Sequence, residues 1–283
     1  MNEIKIHVLH TGRVRVSPYL PFGGSCGIIK AAGLTTPRRK WIWLPVSAYY
    51  IEHPKGRLLV DTGWSRAISP LGTYDRIAQI RSLGSLPLYL TNQAMLPPGE
   101  AVDEQLAALG VRPEELDYVL LTHLDCDHAN GLELVRGADH ILVSNAELKF
   151  ASGRSPVTQI RYATRWWAKC RLEGFDWNDT EGTFSRTFDL FGDGSVKLIN
   201  IPGHSDGLCA VKLRGADGSF VLLYSDGGYA SRSWQELITS GISSDPAAQM
   251  RSLKWIREQS LDPKCVESLA NHTPDIAPYI ITI

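Results

Sequence analysis

No stretch of the 283 residues stays apolar for long enough to cross a bilayer, which excludes a membrane-spanning helix. The opening MNEIKIHVLHTG alternates like a strand and lacks the apolar core of a secretory leader. A surplus of either charge is also missing: the net charge is -1, and the single basic triplet, Arg38, Arg39 and Lys40, reads as a solvated loop. Nucleic acid partners are therefore not expected, since they call for a basic face. Cysteine is scarce, with five residues at irregular spacing. An odd, unpatterned set excludes a disulfide framework and points to reduced thiols in a cytoplasmic protein. Low-complexity linkers are absent too, so we expect one domain over residues 1–283.

What is present is an alternation of strand-like and helix-like segments. EIKIHVL, WIWLPVSAYYIEH, GRLLVDTG, DYVLLTH, HILVS, VKLINIPGH, LCAVKLRG and SFVLLYSDGG read as strands, several buried on both faces. DEQLAALG, SNAELKFA, TQIRYATRWWAKCRL and DPAAQMRSLKWIREQSLD read as helices, the last with Asp245 as N-cap, Pro246 in the first turn and Asp262-Pro263 as its stop. The order suggests a layered α/β domain. Residues 66–100 break the pattern and read as a loop or helical insertion. Within them the apolar tract SPLGTYDRIAQIRSLGSLPLYL has the composition of a lid or of a contact between two copies in a homodimer.

Chemistry concentrates in LTHLDCDHAN, residues 121–130, where His123, Asp125, Asp127 and His128 fall within six positions. Further candidates follow other strand-like runs: Asp61 after RLLV, His204 after KLINIPG and Asp226 after FVLLYS, with His272 in LANHTPD. Loops leaving strand ends can converge on one rigid site. His123, Asp125, Asp127, His128, His204, Asp226 and His272 supply imidazole nitrogens and carboxylate oxygens, a donor set that borderline ions accept. Seven donors suffice for two ions if one carboxylate bridges them. Cys126 alternates out of phase with Asp125 and Asp127 and is expected to pack inward.

These motifs resemble the metallo-β-lactamase superfamily, and within it the N-acyl homoserine lactonase branch. HLDCDH at 123–128 stands where that family has His-x-His-x-Asp-His, and PGHSDG, YSDGGY and NHTPD supply its lone His, bridging Asp and final His in order. YYIEHPKGRLLVDTG resembles its early hairpin. The resemblance implies a four-layer αββα sandwich with two divalent ions at one edge, zinc first among them. His123, Asp125 and His204 would hold one ion, Asp127, His128 and His272 the other, and Asp226 would lie between. Tyr229, three residues after Asp226, matches a tyrosine that hydrogen-bonds the substrate carbonyl. The implied reaction opens a lactone or related ester: a metal-bridging hydroxide attacks the carbonyl, an ion and Tyr229 stabilise the oxyanion, and Asp127 passes a proton to the leaving alkoxide.

Asp125 departs from the family, which has His there. Two divalent ions bring +4, and Asp127, Asp226 and a hydroxide remove 3; a bound Asp125 would bring the remaining +1 to zero. Such a site would acidify water less and accept harder ions such as Mn²⁺ or Fe²⁺. Diiron flavoproteins of the superfamily carry a carboxylate at this position, so a redox role stands as an alternative, beside hydrolysis of thioesters, β-lactams or phosphodiesters. The remaining readings are structural. His7, His10, His53 and His140 are expected as packed, hydrogen-bonded core residues. Asp61 either caps its turn or supports a ligand from behind. Trp166 and Trp167, and Tyr19 and Phe22 in SPYLPFGG, either pack or line a substrate pocket.

Overall fold

The strands form where branched and aromatic residues alternate between two environments. In the computed structural model, which describes residues 3–274 and 277–283, they are β1 (Lys5–Val16), β2 (Ile42–His53), β3 (Gly56–Val60), β4 (Gln93–Met95), β5 (Tyr118–Leu120), β6 (His140–Ser144), β7 (Leu172–Phe175), β8 (Thr187–Asp189), β9 (Val196–Asn200), β10 (Cys209–Arg214), β11 (Phe220–Leu223), β12 (Cys265–Leu269) and β13 (Ile280–Thr282). Asp275, the last residue of the NHTPD motif, lies outside the described residues.

One sheet has the order β13-β1-β2-β3-β5-β6-β7, with β4 added on β1, and the other has the order β12-β11-β10-β9-β8. Strands β3, β5, β6 and β7 run parallel, so helical crossovers must cover that sheet's outer face. Side-chain alternation then sorts the core into layers. Ile51, Leu58, Val60 and Leu120 of the first sheet meet Leu198, Val211, Val221 and Leu223 of the second. Their neighbours Tyr50, Leu59 and Val119 point the other way, onto the helices Val102–Ala108 and Asn145–Ala151. On the far side Ile199, Ala210 and Leu222 pack against Leu253 and Ile256 of the helix Pro246–Ser260. Helix, sheet, sheet and helix make the expected αββα sandwich. Asp245 caps that last helix as expected, accepting from Ala247 and Ala248 N–H, each at 2.9 Å.

Residues 66–100 hold the helices Arg76–Leu83 and Leu86–Thr91 before β4 pairs with β1. Ile68, Leu83, Leu88 and Leu96 bury themselves against Val14, Val16, Leu44 and Val46, where β1 and β2 extend beyond the sandwich. Two sequence expectations need correction. The helix expected over TQIRYATRWWAKCRL stops at Arg161: Tyr162 is extended (φ -111°, ψ 133°), Thr164–Trp166 makes one 3₁₀ turn, and Leu172 begins β7. Tertiary bonds override the helical periodicity there, with Tyr162 Oη donating to Glu147 and Trp166 Nε1 donating to the Ser82 carbonyl. Among the histidines, His7 is buried against Glu52, but His140 is exposed beside Glu173 and His53 stacks half-buried on Phe191. Both lie at strand ends, beyond the core layers.

Candidate metal centre

Five strand ends meet at one rim of the sandwich. β3 leads into Asp61, β5 into Thr122 and His123, β9 into the loop carrying His204, β11 into Asp226, and β12 into Asn271 and His272. Thr122 ties three of these ends together. Its backbone N–H donates to Asp61 Oδ1 at 2.9 Å, and its hydroxyl lies 2.8 Å from both Asp61 Oδ2 and Ser225 Oγ. Asp61 and Ser225 both hold the left-handed conformation, with φ of 57° and 48°. Such strain persists only where surrounding bonds fix it, and here those bonds aim the loops inward.

The structure brings all seven candidate ligands together, in two groups whose donor atoms lie within 4.8 Å of one another: His123, Asp125, His204 and Asp226 in one, Asp127, His128 and His272 in the other. Asp226 stands between them. Its Oδ2 lies 3.6 Å from His204 Nε2, and its Oδ1 lies 3.4 Å from Nε2 of both His128 and His272. Asp127 Oδ2 is 3.3 Å from His272 Nε2. The imidazoles are oriented from behind: His128 Nδ1 donates to Asp61 Oδ2 at 2.8 Å, and His272 Nδ1 donates to the Pro45 carbonyl at 2.8 Å. Both bonds leave Nε2 turned to the centre. Of the two readings open for Asp61, support of a ligand from behind is therefore the one the geometry fits.

The electrostatics suit cations. Burial, then His128, pushes His123 down to about 4, so this ring is neutral. Burial pulls His128 the same way, but Asp61 and Asp226 outweigh it and hold the ring well above its ordinary value. His272 is raised by Asp226 and Asp127 against the same burial. Burial is the largest influence on Asp127 and raises it. His123 Nε2 and Asp226 Oδ1 are buried without a hydrogen-bond partner. Buried polar atoms of this kind call for a partner, and a divalent cation among four imidazoles and three carboxylates supplies one.

Several residues that the sequence reading passed over belong to the frame. Thr122 and Asn271 adjoin the quoted motifs; Asn271 Oδ1 accepts from Ser47 N–H, and its Nδ2 lies 3.1 Å from His128 Nε2. Glu147, fully buried, accepts from Leu124 N–H, Ser205 Oγ and Tyr162 Oη, joining the His123 and His204 loops. Arg161 makes a bidentate pair with Asp125 and donates to the His204 carbonyl. No local signal marks Glu147 or Arg161, whose partners lie far along the chain.

Tyr229 stacks on the His272 ring at 5.0 Å and 14°. Both border a cavity of about 320 Å³ whose floor includes Asp125, Asp127, His204 and Asp226 and whose walls are Val14, Val16, Leu20, Ile28, Leu88 and Ile160. Leu20, rather than Tyr19 or Phe22, faces the cavity; those two rings sit under Lys30 and Arg232. Trp166 is buried in the packing below, and neither it nor Trp167 lines the cavity. Cys126 is buried and packs as expected. No helix among the described residues is long and apolar enough to cross a membrane.

Comparison with known proteins agrees with this geometry. The chain is 25% identical to N-acyl homoserine lactonase AttM of Rhizobium radiobacter over 82% of its own length and 83% of the relative's. It is 23% identical to N-acyl homoserine lactonase AiiA of Bacillus thuringiensis subsp. kurstaki, over 77% and 78%. Among solved structures, AiiA of B. thuringiensis with N-decanoyl-L-homoserine at its active site superimposes with a TM-score of 0.73 at 20% identity, covering 97% of this chain and 95% of that one. AidC, a dizinc quorum-quenching lactonase, does so with a TM-score of 0.64 at 14% identity, covering 99% and 94%. The metallo-beta-lactamase superfamily itself matches residues 41–221, the tract that carries the hairpin, the HLDCDH motif and the loop of His204. With that match over more than half of its length, the chain belongs to the metallo-beta-lactamase superfamily.

Proposed function

We propose that the protein is a metal-dependent hydrolase that opens lactones bearing an apolar acyl chain, of the N-acyl homoserine lactone type. The observation that carries this reading is the cavity, which joins aliphatic walls to a floor of paired imidazoles and carboxylates. Pockets of this kind bury a hydrophobic body while a few polar groups fix its reacting end. The likeness to lactonases of the AttM and AiiA type over most of both chains supports it.

His123, Asp125 and His204 would hold one ion and Asp127, His128 and His272 the other, with Asp226 standing between the two groups. We assign zinc, because the donor set mixes nitrogen and oxygen; Mn²⁺ and Fe²⁺ are the competitors that the Asp125 oxygen admits. Bound divalent ions lower the pKa of water and polarise an ester carbonyl. The chain's own groups do the rest. Asp127, at the cavity floor, orients the attacking water and carries a proton to the leaving alkoxide. Burial, then Asp226 and Asp127, raises Tyr229 well above its usual value, so its hydroxyl keeps its proton and donates to the carbonyl oxygen as negative charge develops there. The aliphatic walls exclude water around the acyl chain and fix its direction.

Proton release at constant pH tests the reading, using protein loaded separately with Zn²⁺, Mn²⁺ and Fe²⁺ and acyl homoserine lactones of increasing chain length. Each methylene buried in the cavity should raise kcat/KM by up to about fourfold, from about 0.8 kcal/mol of transfer free energy, until the walls are filled. Release that ignores chain length, or that survives Asp226→Ala, would refute it.

A further inference from the structure

Asp125 is a carboxylate donor of the centre with a cation of its own behind it. Arg161 ends the helix Pro156–Arg161 and reaches it with two nitrogens of the guanidinium: Nε donates to Oδ1 at 2.5 Å and Nη2 to Oδ2 at 2.7 Å. The third nitrogen, Nη1, donates to the backbone carbonyl of His204 at 2.9 Å. The Asp125 and Arg161 side chains are only 15% and 12% exposed, so water screens the pair weakly. The two carboxylate oxygens are not equivalent. Oδ1 turns to Arg161, whereas Oδ2 also faces His204 Nε2 at 2.9 Å and His123 Nε2 at 3.4 Å. Both oxygens are thus held by the guanidinium, and Oδ2 alone also stands among the imidazoles as a single donor atom.

The charge sum for the centre changes accordingly. Over the ligands alone, two divalent ions, Asp127, Asp226 and a hydroxide leave +1 and Asp125 takes this to zero; Arg161 offsets the charge that Asp125 adds, while Asp61 stands behind His128. We propose that Asp125 and Arg161 act as one unit that replaces a neutral imidazole, the carboxylate giving one donor oxygen while the guanidinium offsets its charge and locks its orientation. Arg161 is then a positioning residue for the metal centre. The inference rests on the two-ion reading of the site but not on the identity of the substrate. Glu147 strengthens the arrangement, since it fastens Tyr162, the residue after Arg161, to the loops of both His123 and His204. Guanidinium and carboxylate therefore sit on one braced frame.

The test is a double-mutant cycle read as metal affinity by chelator competition, with metal counted per chain, on the full-length protein. Asp125→His leaves the buried Arg161 cation facing two ions without its partner, and affinity should fall at least tenfold. Arg161→Leu should then recover at least tenfold in the Asp125→His background, a gain it does not give in the parent, where it strands Asp125. Arg161→Gln, which keeps hydrogen bonding without the charge, should show the same coupling and serves if the Leu variant fails to fold. Equal effects of the Arg161 changes in both backgrounds would overturn the unit while leaving a two-ion centre standing. A parent that binds fewer than two ions would overturn the two-ion reading along with it. Lactone turnover enters neither result.

Discussion

Asp61→Asn is the sharpest probe of how the centre is held. Asp61 is 1% exposed and uses both oxygens as acceptors, from Thr122 N–H and Oγ–H on one side and from His128 Nδ1–H at 2.8 Å on the other. Asparagine matches its size and tolerates the left-handed φ of 57°, so the backbone need not move. An amide, however, has one acceptor oxygen. Whichever way it turns, a buried N–H of His128 or Thr122 faces an NH₂ group, and an unmet buried donor costs about 1–3 kcal/mol. If the oxygen stays with Thr122, His128 loses its fixed tautomer, and removal of a partner behind a ligating histidine lowers metal affinity by about 10–100-fold. The loss should fall on the ion we assign to Asp127, His128 and His272, so chelator titration should change from two similar steps to one tight and one weak. Thermal unfolding with chelator present should separately show the stability loss. Two unchanged binding steps, together with metal-free stability within about 0.5 kcal/mol of the parent, the usual range for substitutions away from such features, would refute the idea that Asp61 organises His128.

Three further outcomes follow from the same geometry. Burial lowers His128 and His272, but the carboxylates facing them outweigh it and raise both, so ion uptake, which needs neutral rings, should release protons as pH falls. Calorimetry in buffers of different ionisation enthalpy should detect the release, with apparent affinity weakening as pH falls; uptake without proton release would contradict the assignment. Thr122→Val removes the hydroxyl shared by Asp61 and Ser225, which should lower stability by about 1–3 kcal/mol in denaturant titration; no change would mean that the three strand ends are held elsewhere. Ile29→Ser alters a cavity-wall residue that is 59% exposed, so folding should be unaffected while long-chain lactones lose roughly 1 kcal/mol in kcat/KM and short-chain ones nothing; equal loss for all chain lengths would place the acyl chain elsewhere.

Much of this molecule can be read locally. Strands such as GRLLV and FVLLYS declare themselves because both faces are buried, and the polar residue that ends each one stands at the sandwich rim for the same reason. The strands β4, β8 and β13 have three residues each, as β5 does, but lack the run of apolar residues buried on both faces that marks DYVLL. The cavity was equally hidden. Its walls draw Val14 and Val16 from β1, Leu20 and Ile28 from the segment after it, Leu88 from the insertion and Ile160 from a helix that the sequence pattern ran on too far. Each looks like an ordinary core residue in its own segment, and only the fold leaves them facing an opening.

The charge of the centre shows why a ligand motif is not yet a site. Read alone, Asp125 implies a neutral and less electrophilic centre, because the arithmetic stops at the residues of the motif. Its partner Arg161 lies 36 positions away, on a short helix whose end is set by Tyr162 turning aside to meet Glu147. Had the helical pattern continued through Tyr162 and Trp166, that bond to Glu147 would be lost and nothing would brace the guanidinium against the His204 loop. Ligand identity is a local property of the chain, fixed by spacing along one loop. Net charge around the ligands is a property of the packed interior, where Arg161 stands opposite the carboxylate of Asp125, so a substitution at either residue has to be judged with the other in place.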